Sequence, residues 1–135
     1  MARRWWWLAV FAFATSAAAQ SVVVNPRTVE FAPSADHATM LPADLGGGPV
    51  VVSYEARFET VAGAAVCAVD LGKPTPVSSL ISMPLPLACV PAGWAPRYVV
   101  KVAALGPTGA GVSAASNPFA SVGEPGAPGV PVVTR

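Results

Sequence analysis

Charge is scarce in this chain: of 135 residues only eight are Lys or Arg, seven are Asp or Glu, and His37 is the single histidine. The basic residues are scattered, which argues against nucleic acid or an anionic membrane surface as a partner, because both are met by clustered Lys and Arg. One histidine and two cysteines, Cys67 and Cys89, are too few ligands for a metal site, so neither a metal nor any other cofactor is expected. No Gly-x-Ser-x-Gly turn occurs, and no close pair of carboxylates could serve as acid and base. The nearest approach to a catalytic relay is Asp36-His37 with some serine. On an extended strand those neighbours point to opposite faces, so no catalytic residue is assigned and the chain is read as non-enzymatic. Leu, Glu, Lys and Gln, the helix formers, are sparse, which excludes a helical protein. The chain also lacks Asn-x-Ser/Thr acceptors and an Arg-Gly-Asp signal, so the identity of a partner is not encoded in a short motif.

What the chain has in quantity is Val, Ala, 15 prolines and 12 glycines. Its first segment reads as an address. Arg3-Arg4 gives a positive start, Trp5 to Ala14 is an unbroken apolar run, and Ala17-Ala18-Ala19 is a small-residue cleavage site, the pattern of a secretory signal peptide over residues 1 to 19. A membrane anchor would need about 20 apolar residues, and this run fades after about ten. Without Arg3 and Arg4, eight basic residues less two leaves six against seven acidic ones, a net charge near −1 on a chain starting at Gln20. Such a chain works in the periplasm, at the cell surface or outside the cell. In that oxidising setting an even cysteine count favours a Cys67–Cys89 bridge, with two separately buried thiols as the alternative.

The length fits one domain. Seven extended runs follow residues 20 to 25, and together they predict an all-β, seven-stranded antiparallel sandwich over residues 26 to 121. The first is Thr28 to Phe31, an edge strand ended by Pro33, and the second is Asp36 to Leu41. Gly46-Gly47-Gly48 lies in a loop; a phosphate cradle would need a helix after it, and a strand follows instead. That third strand sets Val50, Val52, Tyr54, Ala56 and Phe58 against Val51, Ser53, Glu55, Arg57 and Glu59, an apolar and a polar face. Ala64 to Val69 carries Cys67, and Val77 to Met83 is the next run. The hairpin at the centre of the fold pairs Tyr98 to Ala104, alternating Tyr98, Val100, Val102 and Ala104, with a last run from Val112 to Ser116. Between Cys89 and Tyr98 stands Trp94, expected to plug the open end of a small core, with a ligand-stacking platform as the alternative. Residues 122 to 135 form a Pro/Gly-rich, solvated tail.

The run Tyr98-x-Val100-x-Val102-x-Ala104, with Gly106, Gly109, Gly111 and Ser116 after it, resembles the end of a fibronectin type III domain. Pro42 to Phe58, with its glycine loop, Pro49 and Val52-Ser53-Tyr54-Glu55-Ala56-Arg57-Phe58, resembles that family's second-to-third strand passage. The resemblance covers roughly residues 26 to 121. It implies an immunoglobulin-like sandwich and a tyrosine corner, in which the Tyr98 hydroxyl bonds back to upstream backbone. The family's buried tryptophan on the second strand is replaced here by Met40-Leu41, and its leucine before the tyrosine by Ala92. Trp94 is placed to fill the volume both changes leave.

The resemblance implies a secreted binding or spacer module that presents a sandwich surface to a protein or glycan. The alternative is a subunit that assembles in the envelope or matrix through sheet edges. If Tyr98, Val100, Val102 and Ala104 face the core, then Val99, Lys101, Ala103 and Leu105 face outward, and three of those four are apolar. Val99, Ala103 and Leu105 are therefore the expected interface.

Overall fold

A computed structural model describes residues 21–123 and 125–135; residues 1 to 19, on which the signal-peptide expectation falls, lie outside the described residues with Gln20 and Glu124. Among the described residues eight strands succeed one another with a single short helix, the 3-10 turn Ala43–Leu45. They are β1 (Val23–Val24), β2 (Thr28–Phe31), β3 (Ser53–Thr60), β4 (Ala65–Gly72), β5 (Ile81–Pro84), β6 (Tyr98–Gly106), β7 (Gly109–Val112) and β8 (Phe119–Ala120). The large sheet runs β1-β8-β6-β3-β4 with β7 also paired to β6, and the small sheet is β2-β5. Ile81 of the small sheet shares one buried cluster with Tyr54, Phe58, Val100, Val102 and Phe119 of the large sheet, and Val29, Phe31 and Met83 pack against it. The fold is all-β, and the two sheets closed over one core are compatible with a β-sandwich.

The central hairpin forms where the period-2 pattern places it. Tyr98, Val100 and Val102 are buried, and β6 pairs antiparallel with β3 from Tyr98↔Thr60 to Leu105↔Ser53. Pro107-Thr108 turns the chain between Gly106 and Gly109. Gly106 is required there by close approach: a Cβ at this position would overlap the Val50 carbonyl oxygen.

Four expectations about the strands need correction. Asp36 to Leu41 is not a strand but a turn region whose sole pairing is the isolated bridge Met40↔Pro49, and Met40 is exposed. Ser34 accepts the Asp36 N–H on its Oγ and the His37 N–H on its carbonyl, a local turn that competes with a ladder. In β3, Tyr54, Ala56 and Phe58 are buried as expected, but Val51 is buried and Val52 is 55% exposed. The chain bends at Val50 against Gly106, so the alternation restarts one residue late. The Val77 to Met83 run is interrupted: Ser78 and Ser79 adopt φ of 51° and 64° between the bridged Val77 and Leu80, the dihedral signs of a type I′ turn, and β5 starts only at Ile81. Finally, eight strands replace seven: the expected second strand is lost, the last run keeps only Val112, at the end of β7, and the unforeseen β1 and β8 form a parallel pair.

The early end of the last run at Val112 has a physical account. Beyond Val112 the edge leaves the regular ladder, and Ser113 and Ser116 each use both backbone and side chain to hold β6. Ser113 N–H donates to the Val102 carbonyl at 2.9 Å while its Oγ accepts the Val102 N–H at 2.9 Å. Ser116 repeats this on Val100, at 2.9 Å and 3.0 Å. The hydroxyls stand in for strand carbonyls, so the backbone bends away without leaving the amides of β6 unpaired.

Candidate functional site

The segment from Val90 to Arg97 carries Pro91, Gly93 and Pro96, residues that forbid regular structure, and it is fixed by bonds rather than by a ladder. Cys89 is joined to Cys67 of β4 in a disulfide with a Cα–Cα separation of 6.3 Å. Val90 is buried beside it and donates its N–H to the Leu87 carbonyl at 3.0 Å. Gly93 N–H donates to the Ser121 carbonyl at 2.6 Å. The Arg97 guanidinium donates through Nη1 to the Trp94 carbonyl at 2.6 Å, and the Arg97 carbonyl accepts the Val61 N–H at 3.0 Å. The Ala95-Pro96 peptide is cis. The loop is thus tied to the β3–β4 turn, to β4 and to the strand end after β8.

Trp94 stands on this braced loop with 65% of its surface exposed. The expectation that it plugs the core is overturned. The open end is closed by Val90, with Leu85 and Leu87 packed on the cluster, and Phe119 fills the adjoining interior against Phe58 and Tyr98, with ring centroids 6.2 Å and 6.0 Å away. The sequence signal for this was present in Leu85-x-Leu87 and Pro118-Phe119-Ala120, short apolar groups flanked by proline that period counting passes over. Val61, 59% exposed, joins Trp94 at the same end through the backbone of Arg97.

The outer face of β6 is less open than its alternation implies. Val99 and Leu105 are half-buried, and Ala103, at 0% exposure, offers no surface. Ala103 lies between Glu55 and Val112 across the sheet. Two ion pairs cross the face, Arg57 Nε to Glu55 Oε1 at 2.8 Å and Lys101 Nζ to Glu59 Oε2 at 3.0 Å. Half-exposed pairs of this kind contribute about 0 to 1 kcal/mol, so their effect here is to cover small apolar side chains with long stems.

Tyr98 is buried, but among the described residues its hydroxyl makes no hydrogen bond; the hydroxyl bonded to upstream backbone belongs to Tyr54. Tyr54 Oη accepts the Ser34 N–H at 3.1 Å and lies 2.6 Å from His37 Nδ1, with the two rings stacked at 5.7 Å. The Tyr54 oxygen thus bonds both the Ser34 backbone and the His37 ring, with the direction of the second bond set by the histidine tautomer. Asp36 faces the Ser34 side of the turn, its N–H on Ser34 Oγ at 3.2 Å. The histidine is held as an anchor for residues 32–41. Among the described residues no group of three His, Cys, Asp or Glu side chains is placed to hold a metal ion.

The disulfide is compatible with an extracellular or periplasmic protein, and among the described residues no helix is long and apolar enough to cross a membrane. Comparison with known proteins returned no match: no family model, no curated protein and no solved structure.

Proposed function

We propose that this chain is an exported, non-catalytic binding module of fibronectin type III-like build, which presents Trp94 to a protein or glycan partner. The observation that carries the reading is a large aromatic side chain 65% exposed on a loop pinned by a disulfide and four hydrogen bonds. Exposed indoles are costly to leave in water and supply much contact area with only two rotatable angles, so a rigidly held one favours recognition over chance exposure. Bracing matters because a pre-ordered contact loses little entropy on binding. Support for the family likeness comes from the long β6 and its hairpin; the parallel β1–β8 edge and the tyrosine hydrogen bond at Tyr54 instead of Tyr98 depart from it. The experiment is to probe glycan and envelope-protein arrays with the secreted chain and with Trp94→Ala. A bound component that loses at least about tenfold in affinity in the variant supports the reading, tenfold being about 1.4 kcal/mol. Equal binding by a folded Trp94→Ala chain would refute it.

A further inference from the structure

One flank of the molecule is open where the two sheets meet. Adjoining cavities of about 180, 270 and 280 Å³ run along it in sequence. The first and second share Val29, Glu30, Val100 and Ser116, and the second and third share Phe31, Val102 and Ser113, so they form one groove. Its floor is apolar, from Val29, Phe31, Val100 and Val102. One rim is β2 and the other is the bent edge at residues 113 to 117.

The β2 rim carries unused hydrogen-bonding capacity. Among the described residues β2 pairs only with β5, and the Leu85 N–H to Arg27 carbonyl bond at 2.9 Å fixes the phase of that ladder. Arg27, Val29 and Phe31 direct their backbone groups to β5, so Thr28 and Glu30 direct theirs into the groove. A free edge beside an apolar trough is the form that accepts an added strand.

The chain also carries a matching strand. Val130, Val132 and Val133 are 90%, 83% and 97% exposed, and residues 125–135 are exposed throughout. Pro131 has no N–H, and this sets the orientation. In a strand parallel to β2 with Pro131 opposite Thr28, the backbone groups of Val130 and Val132 point at β2 and their side chains point to the floor, while Pro131 turns outward. An antiparallel strand either loses the bond at Pro131 or turns Val130 and Val132 to solvent. Pro125 and Pro128 stiffen the approach at about 3.1 Å per residue, which carries Val130 away from its own domain and toward a neighbour.

We propose that residues 130 to 134 of one copy add as a strand to β2 in the groove of a second copy. This surface is separate from Trp94 and does not depend on its role. The test is sedimentation of the secreted chain over a concentration series. Wild type is expected to populate dimers or larger species, Val132→Asp to lose them, and Val133→Asp and Trp94→Ala to keep them, with identical circular dichroism throughout. A synthetic peptide of residues 129 to 135 should dissociate the wild-type assembly. A wild-type monomer at every concentration overturns the proposal, as does equal behaviour of Val132→Asp and Val133→Asp. A monomer whose amides at 130 to 134 resist hydrogen exchange overturns it too, since the strand would then occupy its own groove.

Discussion

Tyr54 is 1% exposed, yet its hydroxyl reaches the turn that begins twenty residues earlier and holds it from two sides. Tyr54→Phe strands the Ser34 N–H and the His37 Nδ1 together, and we expect a loss of about 1 to 2 kcal/mol. Tyr98→Phe removes a hydroxyl that no described residue uses, and we expect a change within about 0.5 kcal/mol. Urea unfolding of both variants at one pH checks the contrast; a larger loss for Tyr98→Phe would mean that the anchor is misassigned. Both tyrosines are legible in the sequence as inward residues, because each sits on an alternating strand. Which of them bears the hydrogen bond was not legible. That depends on the path of residues 32–41, where Asp36 and Ser34 make a local turn in place of a strand.

At the level of elements, period-2 patterning located β3 and β6, and in β3 a register slip would bury Glu55, Arg57 and Glu59. The pattern failed where backbone geometry is set by side-chain hydrogen bonds or by a contact distant in sequence. Val52 looked inward and is outward because the Val50 carbonyl meets Gly106 more than fifty residues later. The run from Val112 to Ser116 looked like a strand and is one only to Val112, since Ser113 and Ser116 supply side-chain oxygens to β6. Ser113→Ala leaves the part-buried Val102 N–H without its acceptor, and we expect a loss of about 1 to 2 kcal/mol. Surface serines not bonded to β6, such as Ser121, should change stability by less than about 0.5 kcal/mol on the same substitution. Thermal unfolding of the two variants separates them, and equal shifts would show that the hydroxyl bond does not hold the edge.

In the whole molecule, the disulfide ties β4 to the loop below Trp94 across a sequence separation of 22 and stabilises the fold by about 3 kcal/mol in the chain-entropy account. The pairing was legible from cysteine count and address. The position of Trp94 was not, because composition says only that an indole is large and apolar, and the small groups Val90 and Phe119 that displace it from the core lie outside any periodic run. The result is a sandwich-like body with a braced aromatic residue at one end and an open flank between its sheets. Binding through Trp94 requires first that the indole stand in water on the free protein. In a chain prepared from Gln20 onward, without Trp5, Trp6 and Trp7, Trp94 is the sole tryptophan, so its fluorescence reports on this residue alone. The account predicts solvent-like emission fully quenched by iodide in the folded chain and shielded when partner is added; blue-shifted emission that iodide cannot reach in the free chain would contradict it.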